Sequence, residues 1–266
     1  MITGASSGIG LACAVHLAHR GWRVFGTSRT PPPGAVPFEF VAMDVTSDES
    51  VDHALGEVLA RAGQLDAVVN NAGFGYAGAI EDTSVAEAQR QFDTNFFGVH
   101  RVLRRALPHL RAVGGRVVNI SSIGGLIALP FQGMYCATKF ALEGLSEALA
   151  HELHGFGVPV VLIEPGDFRT GFTENRRQVA AAGPGSVYHP QFERTLEVFI
   201  ADEQRGPDPR DVARSVHHAL TVARPKLRYA VGMPLQRWGI GLKKLLPWRL
   251  FAAVIRLFYR VTRQRR

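Results

Sequence analysis

The sequence predicts an α/β fold: a single doubly wound parallel sheet with helices on both faces, followed by a basic helical C-terminal tail. Three observations predict it. Strand-length apolar runs alternate with helix-length segments through the first 170 residues. The runs are continuously hydrophobic, as strands buried on both faces read. A glycine cluster stands at the first strand-to-helix junction. At 266 residues and 46% hydrophobic composition, the chain can bury a core of the size this architecture needs.

The strand candidates in order are Val24–Thr27, Phe38–Ala42, Ala67–Asn70, Arg116–Ile120 and Val158–Ile163, all rich in Val, Ile and Phe. Before them only Met1 to Thr3 precede the glycine turn. Either that first strand is short or the true start lies upstream, and both readings stay open. The helices alternate with the strands. Ile9–Arg20 is ended by Gly21, and a second helix follows a capping box at Thr46 and Glu49 and runs to Ala62. Val85–Arg111 and Met134–His154 are the long ones. This βαβα order gives a parallel sheet, with ligands outside the carboxyl ends of its strands.

Charge divides the chain. Residues 212–266 hold 13 Lys or Arg and no acid, while residues 1–211, with 17 basic and 23 acidic residues, carry a net −6. The basic character therefore belongs to the tail. The body shows no basic stripe with interleaved aromatics and no DNA-reading motif, so no nucleic-acid partner is expected. Cys13 and Cys136 read as buried thiols of a reducing compartment. No signal-peptide pattern opens the sequence, and a cytoplasmic location is expected. No paired histidine spacing suggests a metal, and no GxSxG elbow suggests a serine hydrolase.

The glycine turn runs Thr3-Gly4-Ala5-Ser6-Ser7-Gly8-Ile9-Gly10. Glycines allow a tight turn and close approach to a pyrophosphate, and the helix N-terminus adds amide donors and a positive dipole end. At the end of the second strand, where such folds often carry an acid for a ribose hydroxyl, stand Ser28 and Arg29. A guanidinium there suits a 2′-phosphate, which favours NADP(H) over NAD(H).

Tyr135 and Lys139 lie one helical turn apart. A phenol titrates near ~10, too high for acid–base work at neutrality. A cation ~4 Å away at an effective dielectric of ~20 would favour the phenolate by roughly 4 kcal/mol before desolvation. A hydroxyl at Ser122 could donate to a developing oxyanion; its neighbour Ser121 is expected to serve the backbone.

The spacing TGxxxGxG, Asp44-Val45 after the third strand, Asn70-Asn71-Ala72-Gly73 after the fourth, Tyr135-x-x-x-Lys139, and Pro165-Gly166 after the sixth together resemble the short-chain dehydrogenase/reductase family. They cover about residues 1–170 in the family's order. The resemblance implies a Rossmann fold and a catalytic set of Asn95, Ser122, Tyr135 and Lys139, with Asn95 holding a water in a proton relay to Lys139. It implies a cofactor site built from Gly4, Ser6, Ser7, Gly8, Ile9, Gly10, Ser28, Arg29, Asp44, Val45, Asn71, Ala72, Gly73, Tyr135, Lys139, Pro165, Gly166 and Thr170. Asp167 departs from the family's usual loop. The long helices at Val85–Arg111 and Met134–His154 would, by the same resemblance, pair in a homodimer or homotetramer.

Residues 1–232 are expected to form the dehydrogenase domain, with a substrate lid at about 168–208, and 233–266 a basic amphipathic extension. Leu126, Ile127, Leu129, Phe131, Met134, Phe168, Phe172, Tyr188 and Phe192 fall in the segments that vary with substrate, and they suit a small hydrophobic carbonyl or alcohol. The run around Tyr135 is most similar to the hydroxysteroid and retinol dehydrogenase branch, which suggests a steroid, retinoid or lipid-like compound. The tail mixes Trp238, Trp248, Leu250, Phe251, Phe258 and Tyr259 with Arg and Lys. Peripheral membrane contact and a cap over the pocket, or a subunit contact, weigh about equally. Two other functions stand against a carbonyl reductase. A non-catalytic NADP(H)-binding sensor would need none of Ser122, Tyr135 and Lys139 in register. An epimerase would usually come in a longer chain with a different glycine turn.

Overall fold

The computed structural model describes residues 1–170 and 176–263. Seven parallel strands form one sheet in the order β3-β2-β1-β4-β6-β7-β9. They are β1 (Ile2–Thr3), β2 (Phe25–Ser28), β3 (Glu39–Ala42), β4 (Ala67–Asn70), β6 (Arg116–Ile120), β7 (Val160–Pro165) and β9 (Arg228–Val231). A two-stranded sheet pairs β5 (Tyr76–Ala77) with β8 (Arg177–Gln178). The chain reverses its direction of travel across the sheet between β1 and β4, and there the cleft opens.

The valine runs explain both faces at once. Val68, Val117 and Val160 are in register on three adjacent strands, and so are Val69, Val118 and Val161. Successive side chains of a strand point to opposite faces. The first set packs under α2 (Asp48–Ala62), α4 (Gly98–Val113) and α5 (Gly133–Glu152). The second packs under α1 (Gly8–Ala18) and α7 (Arg210–Thr221), against Cys13, Leu17 and Val216.

Two local expectations are corrected, and one strand is added. Thr46 does not cap α2: its hydroxyl donates to Asp44 at 2.7 Å, and the cap is Ser47, which accepts from the amide of Ser50. The helix read as Val85–Arg111 is α3 (Val85–Phe92), a π turn over Asp93–Phe97, then α4. The π turn carries Asn95, whose amide is drawn out of the helix to bond the backbone of Phe74. The edge strand β9 was not anticipated. Its Arg-Tyr-Ala-Val sequence is half-buried and short, so it lacks the apolar run that marks the inner strands.

The tail is two helices, α8 (Pro234–Leu245) and α9 (Trp248–Phe258), each started by proline. Their inner side is bound to the body. Phe251 is buried with Ile123 and Ile127, and Ile240, Leu246 and Ile255 pack around it. Beyond α9, Tyr259 stacks on Phe199 of α6 (His189–Arg205) at 4.7 Å, and its carbonyl accepts from Thr195.

The turn at Gly4 joins this architecture to the cleft. Gly4 and Gly8 have φ of +68° and +54°, a region that costs any other residue strain. A Cβ on Gly10 would sit 2.2 Å from the carbonyl oxygen of Gly4, a backbone atom with nowhere to go. Gly10→Ala should therefore destabilise the protein by about 1–3 kcal/mol, a fall of roughly 2–12 °C in Tm by calorimetry. An unchanged Tm would show that the turn tolerates looser packing than its geometry indicates.

Candidate active site

One cleft of about 750 Å³ runs across the carboxyl ends of the strands. Its first wall is the glycine turn, with Ser6, Ser7, Gly8 and Ile9 at the start of α1. Ser7 caps that helix by backbone position only, and its side chain makes no capping bond. Leu11 is the first residue whose amide bonds back along the helix, to Ser7, so the amides of Gly8, Ile9 and Gly10 have no partner within it.

Threonine 3 secures this wall to the next strand. Its hydroxyl accepts from the amides of Asn71 and Ala72 at 3.0 and 2.9 Å, and the side chain of Asn71 donates to the carbonyls of Thr3 and Gly4. Asn71, Ala72 and Gly73 line the cleft, but the Asn71 amide is committed to the turn. Ser28, Arg29, Asp44 and Val45 line the far end. Arg29 is exposed there, while the Ser28 hydroxyl bonds the carbonyl of Thr30 at 2.5 Å. Burial acts to raise the Asp44 pKa. Bonds from the Thr46 amide and hydroxyl, and the charges of Arg29 and Arg101, outweigh it, so Asp44 titrates below its usual value.

Ser122, Tyr135 and Lys139 come together in the middle of the cleft. Ser122 leaves β6 in extended conformation and begins the short helical turn Ile123–Gly125, accepting the amide of Gly124 at 3.0 Å. Tyr135 and Lys139 project from the first turns of α5. Burial raises the Tyr135 pKa, and a hydrogen bond with Ser122 only partly offsets it. Burial prevails, so the phenol is not lowered as the one-turn spacing alone suggests. The Lys139 ammonium points to the carbonyl of Ile120 at 2.8 Å and lies 5.8 Å from the centre of the Tyr135 ring. Burial lowers Lys139 to about 8, against the opposing pull of Glu143.

Asn95 lies beneath the cleft, fully buried. Its oxygen accepts from the Phe74 amide, and its nitrogen donates to the Phe74 carbonyl at 2.8 Å and to Thr138 at 3.2 Å. The side chain is occupied by protein, so any water held here would need the main chain of Asn95. Ser121 also differs from expectation: its hydroxyl is buried without a partner, packed over the position where Gly125 lacks a side chain.

On the other wall stand Pro165, Gly166, Asp167, Phe168 and Thr170, with Thr170 opposite Gly8. The β5–β8 pairing brings Arg176 and Arg177 to the same wall. Sequence reading flagged Asp167 as a departure but missed its partners. Gln236, from α8, donates to its carboxylate and accepts its amide, and Arg176 and Glu203 form a buried ion pair beside it. Burial, then Glu203 and Asp202, raise Asp167 to about 7. These partners lie 9 to 69 positions away, so no local pattern announces them.

The apolar candidates divide. Leu129 and Phe168 line the cleft. Ile127 and Phe192 are core, Phe131 packs on Phe192, and the Tyr188 hydroxyl bonds Glu81 on the surface. Phe172 lies outside the described residues.

The family model for short chain dehydrogenases matches residues 1–181. The chain belongs to the short-chain dehydrogenase/reductase family. This oxidoreductase is 39% identical over 262 residues to a 3-ketodihydrosphingosine reductase of Bacteroides thetaiotaomicron, covering 98% of this chain and 97% of that protein. It is 38% identical over 256 residues to estradiol 17-beta-dehydrogenase 1 of Rattus norvegicus, covering 86% of this chain and 72% of that one. A short-chain dehydrogenase structure from Streptomyces avermitilis superposes with a TM-score of 0.79 at 33% identity, covering 98% and 97% of the two chains. The Streptomyces avermitilis dehydrogenase shares the Rossmann architecture described above.

Proposed function

We propose that this short-chain dehydrogenase interconverts a lipid-like ketone or aldehyde and its alcohol, using NADP(H). The observation that carries the reading is the convergence of Ser122, Tyr135 and Lys139 in the cleft whose other end is formed by the glycine turn and Arg29.

The cleft fits a dinucleotide. Unbonded amides at the start of α1 suit a pyrophosphate, and exposed Arg29 suits a 2′-phosphate, with the nearby Asp44 carboxylate turned to Thr46. When bound, the nicotinamide supplies or accepts the hydride. The chain's own residues handle the proton. Ser122 holds the substrate oxygen, and Tyr135 gives it a proton in reduction or takes one in oxidation. The raised pKa of Tyr135 keeps the phenol protonated in this state, ready to act as an acid. Lys139 supplies the nearby positive charge that favours the phenolate left behind. A sensor without turnover would not need these three side chains assembled.

Similarity over nearly the whole length to a reductase of a sphingoid-base ketone supports a long-chain substrate, and the tail agrees with it. Among the described residues, nine of the sixteen exposed large hydrophobics fall between Leu235 and Phe258, including Trp238, Leu245, Trp248 and Leu257. They share that surface with cations and no acid. No described helix is long and apolar enough to cross a membrane. Phe251 and Tyr259, expected at a lipid surface, face inward instead. Both tail readings thus have a face: the inner side covers the loop after Ser122, and the outer side suits an anionic bilayer.

Tyr135→Phe keeps the ring and removes the transferable proton. Turnover of the best carbonyl in an NADPH oxidation panel should fall by about 10²–10⁴-fold, with NADPH affinity kept; near-normal turnover would sink the mechanism. Arg29→Ala should weaken NADPH roughly ten- to a hundredfold and leave NADH unchanged. Equal losses, or a wild type that prefers NADH, would reject the assignment. For the tail, the full chain should pellet with anionic vesicles at low salt and be released by high salt. Trp238→Ser with Trp248→Ser should abolish pelleting without unfolding the body. A full chain that stays in the supernatant leaves only the capping role.

A further inference from the structure

One polar side chain of the cleft has no task in the proposed mechanism. Gln132 lines the cleft together with Leu129 and Tyr135. The residue is only 6% exposed, yet among the described residues its side-chain amide has no hydrogen-bond partner. It stands at the N-cap of α5 but makes no capping bond. Its main chain is committed at both ends. The backbone amide donates to the Leu129 carbonyl at 3.4 Å, and the carbonyl accepts from the Cys136 amide at 2.9 Å.

A side-chain amide offers one acceptor and two donors, and burying it unbonded is costly. The backbone just before it is strained as well. Phe131 has a φ of +57°, a region that is a genuine outlier for a bulky residue. Two contacts hold it there. The Gly78 amide donates to its carbonyl at 2.8 Å, and its ring packs on Phe192 with the centroids 5.6 Å apart. Gln132 follows directly, and α5 begins after it. The fixed turn at Phe131 thus sets where Gln132 enters the cleft wall. Strain and an unused buried amide meet at one position beside the reactive tyrosine.

We infer that Gln132 is a specificity-determining residue whose amide binds a hydroxyl of the substrate close to the reacting carbonyl. This rests on the reading of Tyr135 as the proton donor to that carbonyl. Gln132 precedes Tyr135 by three residues, and helix neighbours at that spacing have Cβ atoms about 5–6 Å apart. Its amide therefore serves atoms near the carbonyl, not the far end of a long substrate. The ligand class follows from the group itself. A hydroxyl both donates and accepts, as the amide does. A carboxylate or an ammonium would ask for an opposite charge, and glutamine carries none. Leu129 and Phe168 on the cleft walls offer apolar surface to the carbon skeleton. The substrate is then a hydroxy ketone or hydroxy aldehyde rather than a plain hydrocarbon carbonyl.

The test compares a long-chain methyl ketone with the same ketone carrying a hydroxyl on the carbon beside the carbonyl, or on the next one, in NADPH oxidation. Wild type should favour a hydroxy ketone by about tenfold or more in kcat/KM, because the plain ketone leaves the buried amide unpaired. Gln132→Leu should erase that preference, with the hydroxy ketone losing about tenfold or more relative to the plain one. A merely structural role would lower both alike and leave their ratio where it was. A wild type without the preference, or an unchanged ratio in Gln132→Leu, overturns the inference and leaves the reductase reading intact. Gln132→Met, unbranched like glutamine, is read in the same way should Gln132→Leu fail to fold. If neither variant folds, the wild-type preference decides alone. Binding without turnover is followed by calorimetry, with the matching diol and simple alcohol on protein saturated with NADPH. If no ketone is reduced, yet the diol binds more tightly and Gln132→Leu removes the difference, the proposed reaction fails and the hydroxyl site stands. If no ketone is reduced and diol and alcohol bind alike, both fail.

Discussion

The Thr3 hydroxyl, accepting two amides from the segment after β4, holds together the two elements between which the cleft opens. β1 is only two residues long, so its ladder bonds alone would fix it poorly. The Asn71 side chain adds bonds to the carbonyls of Thr3 and Gly4 from the other direction. The glycine turn can then fold tightly over the start of α1, because its outgoing strand cannot slide. Every other part of the cleft is placed relative to this junction. β4 carries β6 in register, β6 delivers Ser122, and α5 follows to deliver Tyr135 and Lys139.

A second layer of order runs through the interior as a line of amides and hydroxyls. Asn70 donates to Asn119, Asn119 to Ser146, and Ser146 to the Leu142 carbonyl. This line crosses from β4 through β6 to α5 beneath the reactive side chains. In a low-dielectric interior such bonds are demanding in geometry, and leaving one unmade is costly. They hold α5 at a set height over the sheet, which fixes the position of Tyr135 relative to Ser122.

The electrostatics of the site is a contest between burial and neighbouring charge. A helix-turn spacing suggests that Lys139 simply lowers the phenol of Tyr135. In the folded protein burial acts on both groups, raising the tyrosine and lowering the lysine. The ammonium is committed to a backbone carbonyl. Both shifts favour the neutral forms. Asp167, raised on the opposite wall by burial and its acidic neighbours, answers to the same physics.

The sequence by itself determined the parts whose cause is local or periodic. Uninterrupted valine and isoleucine runs can only be satisfied with both faces covered, so β4 and β6 were read residue for residue and the neighbouring strands to within about two. Glycines at positive φ and a Tyr–Lys pair one turn apart are equally local, and the cleft does contain them together. What only the tertiary structure decided depends on residues distant in the chain. The π turn at Asn95 exists because the Phe74 backbone, 21 residues earlier, draws the amide away. Ser47 rather than Thr46 caps α2 because the Asp44 carboxylate claims the threonine. Gln236 meets Asp167 and Arg228 meets Glu143 across 69 and 85 positions, and no periodicity encodes such encounters. The tail shows the division in one element. Its composition announced an amphipathic surface, but which aromatics turn inward was settled by where the body offered a hydrophobic hollow at Ile123 and Ile127.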